Sequence, residues 1–140
     1  MFNKLRIIQE KLKAPKSQRN KFGNYDYRSC EDILEAIKPL LKDCIVVISD
    51  EIVQVGKRYY VKATATFVDG QDSVQATAYA REAKDKKGMD QAQITGAASS
   101  YARKYALNGL FAIDDTKDAD MQDNTKIKKS HLAKGSFYER

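Results

Sequence analysis

Two alternating runs at residues 58–68 and 74–81 constrain the fold of this chain more than any other feature. Small or apolar side chains occupy every second position, and polar ones such as Lys62, Tyr79 and Arg81 occupy the positions between them. A period of two is typical of a half-buried β-strand, and the turn sequence at 69–72 links the two runs. We therefore predict a hairpin with a polar outer face and an inner face formed by Tyr59, Val61, Ala63, Ala65, Phe67, Val74, Ala76, Ala78 and Ala80.

A helix is predicted over residues 90–107. Asp90 is suited to accept hydrogen bonds from the first turn, and Asn108 and Gly109 tolerate a left-handed end. The middle of this helix, 96–100, is almost without side-chain bulk, which predicts close packing on the alanines of the hairpin. The predicted buried stripe is Ile94, Ala97, Ala98, Tyr101 and Tyr105.

The rest of the chain completes an α+β domain over residues 1–113. Helices are predicted at 2–13 and 30–42, the second opened by a capping box of Ser29 and Asp32, with a loop at 16–28 between the two helices. Residues 44–49 read as a further strand, which gives a three-stranded antiparallel sheet with the long helix across one face. The charged segment 114–140 is predicted to be a disordered tail.

Two stretches resemble one protein family. GMDQAQITGAASSYARKYALNGLFAIDDTKDAD, at 88–120, resembles the signature of the ERF (essential recombination function) family, and FGNYDYRSCEDILEAIKPLL, at 22–41, resembles its N-terminal motif. The resemblance implies an ATP-independent protein that binds single-stranded DNA and anneals complementary strands. It also implies a ring or filament of many copies, similar to the Rad-type annealing rings, and a single-strand binding protein is a further candidate partner.

The distribution of charge favours an anionic partner. The net charge is +6, and the first 30 residues hold eight Lys or Arg against two acidic residues. Within them, cations at 16–28 alternate with Phe22, Tyr25 and Tyr27, as in sites where bases stack on aromatic rings. Phe22 and Tyr25 anchoring the loop onto the core is an equally open interpretation.

The candidate DNA-binding residues combine this pattern with the resemblance. Phosphate contacts are expected from Lys62, Arg81, Arg103 and Lys104. Ser99 and Ser100 are further candidates, although close packing explains these two small residues equally well. Arg28 is also a candidate, and pairing with an acidic neighbour is the alternative explanation for it. The full candidate set is Lys16, Arg19, Lys21, Tyr25, Tyr27, Arg28, Lys62, Arg81, Ser99, Ser100, Arg103 and Lys104.

Other chemistries are less well supported by the residues. Asp72 and Glu82 with Lys84 weakly resemble a metal-dependent nuclease, and the order helix, three strands, helix is also that of a double-stranded RNA module. No nucleotide-binding loop is found, and the single histidine is His131. We therefore expect no enzyme activity, cofactor or metal, and a cytoplasmic protein without a membrane span.

Overall fold

A computed structural model of the chain describes residues 2–16, 18–84 and 88–113. These residues form two compact units, one of residues 2–14 with 29–113 and the other of residues 15–28. The larger unit is α+β, as predicted. The elements are α1 (Asn3–Lys11), β1 (Gln18–Asn20), β2 (Tyr25–Tyr27), α2 (Cys30–Leu41), β3 (Ile45–Val55), β4 (Arg58–Asp69), β5 (Asp72–Arg81) and α3 (Gln91–Leu110).

The sheet of the larger unit has the order β3-β4-β5, with both neighbouring pairs antiparallel. Its strands are joined by tight turns in which Gly56 and Gly70 have φ of 59° and 63°. Strand β3 is longer than the strand predicted at 44–49. The polar pair Asp50 and Glu51 interrupts the apolar pattern, but the backbone ladder with β4 continues through them to Val55.

Helix α3 covers the inner face of β4 and β5. Ala63 and Ala65 of β4 are buried together with Ala98 of the helix, as predicted, and also with Ala102 and Ala106, which were not predicted. The rings of Phe67 and Phe111, both fully buried, meet edge to face with centroids 6.4 Å apart. The buried members of this core include Val61, Ala63, Ala65, Phe67, Ala98, Ala102, Ala106, Leu107 and Phe111.

The face of α3 that is buried differs from the predicted one. Ile94 and Ala98 are buried, but Tyr101 is 54% exposed and Tyr105 is only half-buried, because the buried stripe continues instead through Ala102 and Ala106. Gly96 lies on the exposed side, where an added Cβ would meet nothing within 4 Å. The predicted close approach at Gly96 is therefore wrong, and the small residues that do allow close packing are the alanines further along the helix.

Helix α3 also ends later than predicted. Its Asp90 cap is confirmed as a capping box with Gln93, but the helix continues through Asn108 and Gly109 to Leu110. Leu110 and Phe111 are buried, so their packing favours continuation over termination at the glycine. The left-handed residue beyond the helix is Ala112, with φ of 52°.

The N-terminal helices α1 and α2 are confirmed. Ser29 and Asp32 form the predicted capping box of α2, and Ile33 and Ile37 are completely buried. Leu5 and Ile8 of α1 belong to the same core. These helices and α3 thus bury their apolar sides in one core with the inner face of the sheet.

The unit of residues 15–28 is a small hairpin and not the predicted loop. Its strands pair in antiparallel register from Gln18 opposite Tyr27 to Asn20 opposite Tyr25. Three-residue strands are too short to produce a readable period in the sequence. The predicted disordered tail at 114–140 lies outside the described residues, and the domain boundary at residue 113 stays a prediction.

Candidate nucleic-acid interface

The outer face of the sheet brings together cationic and aromatic side chains. Strand register sets Tyr60 of β4 opposite Arg81 of β5, and Lys62 opposite Tyr79. Directly opposed side chains in an antiparallel pair lie close enough to act on one ligand. With Arg58, these four residues form what we call the outer-face cluster.

The outer-face cluster is open to a ligand. None of the outward-facing residues of β3 to β5 is buried, and Tyr79 is 55% exposed. The ammonium of Lys62 lies 6.0 Å from the centroid of the Tyr79 ring, at the outer limit of a cation–π contact. Arg58 donates a hydrogen bond of 3.0 Å to the backbone oxygen of Glu82 at the end of β5. Three cations and two phenol rings are therefore held on one rigid surface.

The character of the outer face changes across the sheet. On β3 it carries the exposed aliphatic residues Ile45, Val47 and Val55, together with Glu51. Glu51 pairs in register with Lys62, so an acidic group borders the cluster on its β3 side. The cationic side chains of the outer face consequently lie on β4 and β5.

Arg103 and Ser99 of α3, both predicted to contact DNA, bind Asp50 of β3. The Ser99 hydroxyl donates to Asp50 Oδ2 at 2.5 Å, and Arg103 Nε lies 3.1 Å from Asp50 Oδ1. Burial by itself raises the pKa of Asp50, but the hydrogen bonds from Arg103 and Ser99 outweigh it, so the pKa lies below its usual 3.8. The hydrogen bond between Arg103 and Asp50 also raises the pKa of Arg103. These two residues hold α3 to β3, and a contact of theirs with phosphate stays a prediction.

Lys104 is an unusual member of the predicted set because only 6% of it is exposed. Its ammonium lies 4.9 Å from the Tyr105 ring centroid and 5.5 Å from that of Tyr101. Both tyrosines, predicted to be core residues, instead cover a lysine. Ser100, the remaining predicted residue of α3, is exposed.

The predicted residues of the N-terminal segment all belong to the 15–28 unit. Lys21 is exposed, Lys16 and Tyr27 are half-buried, and Arg28 is only 8% exposed. Arg19 forms an ion pair with Asp26 across the hairpin at 2.9 Å. The structure places Tyr25 on β2 without describing its side chain. The predicted residues thus belong to three different parts of the structure, which are the sheet, α3 and the 15–28 unit.

Sequence reasoning missed three residues of importance here. The alternation of β4 already placed Tyr60 on the same face as Lys62, but its position opposite Arg81 requires the strand register. Arg58 was not singled out because it begins the strand. Asp50 was missed because the strand was predicted to end at Ser49.

The nuclease alternative does not fit the arrangement of its residues. Asp72 begins β5 and Glu82 follows its last residue, so the two carboxylates lie about 33 Å apart along the strand and cannot share a metal ion. Glu82 accepts a hydrogen bond from the Thr95 hydroxyl at 2.7 Å. Within the described ranges, no three His, Cys, Asp or Glu side chains are grouped as metal ligands. No helix in the described part of the chain is long and apolar enough to cross a membrane.

The double-stranded RNA alternative agrees with the fold in order but not in the residues of its helix. Elements α2 to α3 run helix, three strands, helix, with the helices packed on the inner face. The first turn of α3 is capped by Asp90 and Gln93, whereas that module needs a lysine cluster there.

Comparison with known proteins decides the family. The model of the ERF superfamily matches residues 1–136. The chain belongs to the ERF superfamily. The chain is 62% identical over 133 residues to the Essential recombination function protein of Salmonella phage P22. The match covers 95% of the chain and 65% of the P22 protein. The chain thus spans slightly less than two thirds of that relative's length.

The family expected from the 88–120 and 22–41 stretches is therefore confirmed. No solved structure shows a significant match to this ERF superfamily chain. The candidate interface is consequently inferred from the geometry of this ERF chain itself.

Proposed function

We propose that the chain is an ATP-independent single-stranded DNA-binding protein that anneals complementary strands in homologous recombination. The observation that carries the proposal is the outer-face cluster, in which Lys62, Arg81 and Arg58 surround Tyr60 and Tyr79 on an open sheet. Membership of the ERF superfamily and the recombination function named for the P22 relative support it.

The cluster suits a single strand for two physical reasons. Cations neutralise phosphates and release counterions, which supplies affinity without reading sequence. Tyrosine rings offer faces on which any base can stack. A strand laid along the sheet by its backbone keeps base edges available for pairing, so two bound strands meet at a raised local concentration.

Several properties belong to the same proposal. We infer that the protein acts as a homo-oligomer, a ring or a filament, so that neighbouring copies extend the binding surface. The architecture would be of the Rad-type ring class, a single-strand binding protein would be a partner, and the site of action would be the cytoplasm. The long edge strand β3, whose outward side carries Ile45, Val47 and Val55, is a surface that a second copy can cover.

The test is annealing of two labelled complementary oligonucleotides by the purified chain without nucleotide, with and without Mg²⁺. We expect faster annealing, no dependence on ATP, and oligonucleotides of unchanged length on a denaturing gel. Absence of single-strand binding at low salt would overturn the proposal. Tighter binding to duplex RNA than to single-stranded DNA would instead favour the RNA module, and Mg²⁺-dependent shortening would reveal a nuclease.

A further inference from the structure

The tip of the β1–β2 hairpin presents one fully exposed aromatic ring. Phe22 is 102% exposed, so its ring packs on no other residue of the described hairpin. Anchoring of this segment onto the core, the other interpretation of Phe22, stays a prediction. A ring of this size leaves about 1.5–3 kcal/mol of burial free energy unused when it stays in water.

The turn that carries Phe22 is held from two sides. The Asn20 side-chain oxygen accepts hydrogen bonds from the backbone N–H groups of Phe22 and Gly23, at 2.9 and 3.0 Å. Across the hairpin, Arg19 donates to the side chains of both Asn24 and Asp26. The ring is thus displayed on a constrained turn, which lowers the conformational entropy lost when a ligand binds it.

The surroundings of Phe22 identify the ligand as an anion with flat apolar faces. Lys21, directly before it, is exposed, and the segment Pro15–Arg28 contains four cations against one acidic residue. A protein interface of ordinary composition would be depleted in lysine at its centre and would offer further apolar side chains around the ring. An exposed ring beside cations is a combination by which single-strand binding proteins stack bases.

We propose that Phe22 is a base-stacking residue for single-stranded DNA, a ligand class that rests on the proposed function. The ring stacks on a nucleobase, and Lys21 neutralises an adjacent phosphate. Unlike the tyrosines of the outer-face cluster, Phe22 has no polar group with which to hold phosphate, so its contact is stacking alone.

The experiment exploits the absence of tryptophan from the chain. Phe22→Trp introduces a single indole, whose fluorescence is followed on titration with an oligothymidylate and with an abasic oligomer of the same length and charge. We expect quenching by the oligothymidylate alone. Equal quenching by both oligomers, or by neither, would overturn base stacking.

Affinity measurements on the full-length chain complete the test. We expect Phe22→Ala to weaken oligothymidylate binding about 5- to 150-fold and to leave abasic binding unchanged, because only the stacking contact is lost. Phe22→Leu should behave like Phe22→Ala, since leucine has no π face. Ile7→Ala, which removes an exposed apolar side chain from α1, is the matched control and should bind as the unaltered chain does.

Three outcomes would overturn the inference in distinguishable ways. If Phe22→Ala lowers the sedimentation coefficient while Phe22→Leu preserves both assembly and affinity, the ring packs on a second copy of the chain. If the unaltered chain binds and anneals DNA and Phe22→Ala does so equally well, only the stacking role fails. If the unaltered chain binds no single strand, the proposed function fails first.

Discussion

Arg103 of α3 and Asp50 of β3 form an ion pair that joins the long helix to the edge strand, with Arg103 Nε 3.1 Å from Asp50 Oδ1. The side chains are 40% and 25% exposed, so the pair is partly screened by water. Ser99 adds a hydrogen bond to the same carboxylate. The contact lies where the apolar contribution of β3 to the core ends.

We expect Asp50→Asn to lower the free energy of unfolding at neutral pH by about 1 kcal/mol. Because the pKa of Asp50 is lower in the folded chain than its usual 3.8, its ionised form stabilises the fold above that value. This contribution disappears as the pH falls through the folded-state pKa. Urea denaturation at about pH 7 and about pH 3 should therefore show the difference between the two proteins shrinking in acid. Glu35→Gln, in an exposed pair on α2, is the control; an Asp50→Asn effect independent of pH would contradict an ionic origin.

For the outer face, we expect Lys62→Ala and Arg81→Ala each to weaken single-strand binding and to reduce its salt dependence. The slope of log affinity against log salt should fall by about 0.7 for each phosphate contact removed. Stability should change by less than about 0.5 kcal/mol, since neither side chain is buried. Lys38→Ala removes an equal charge from the exposed side of α2, and an equal loss of binding in this control would indicate a general charge effect.

At the exposed centre of α3, Gly96→Ala should stabilise the chain by about 1 kcal/mol. Alanine has the higher helix propensity, and the new Cβ meets nothing within 4 Å. Thermal denaturation measures the gain. Gly70→Ala is the same chemical change at φ of 63° and should destabilise the chain. A destabilised Gly96→Ala variant would show that this side of the helix is covered in solution.

Beyond the end of α3, Ala112→Gly should raise stability by about 0.5–1 kcal/mol. Ala112 has φ of 52°, a conformation in which the Cβ is strained and glycine is not. Ala102→Gly, in the buried interior of the same helix, should have the opposite sign. Chemical denaturation of both variants tests the left-handed turn, and no gain from Ala112→Gly would argue against it.

The sequence predicted the parts of the fold that rest on a period or a cap. The alternation through Val61 and Phe67, the capping box at Ser29 and the cap at Asp90 are all present. It failed where tertiary packing overrides local preference. Gly109 does not end α3, because burial of Leu110 and Phe111 stabilises the chain more than termination of the helix at the glycine would.

Within the candidate site, the sequence located Lys62 and Arg81 but not their neighbours. A period of two along one strand indicates which face of the sheet a side chain occupies. That Tyr60 lies directly opposite Arg81 depends instead on the register between two strands. The engagement of Arg103 could not be predicted, since it depends on Asp50, a residue beyond the predicted end of its strand. The exposure of Phe22 depends on a hairpin too short to show a pattern.

The alternation of β4 makes accurate strand pairing a condition for the proposed function as well as for stability. Val61 is buried and its neighbour Lys62 is outside, so a slip of one residue would exchange the two faces. The slipped chain would bring lysine into the core and present valine to the ligand. A misregistered molecule would therefore lose stability and, under the proposed function, the cationic surface for DNA through the same error.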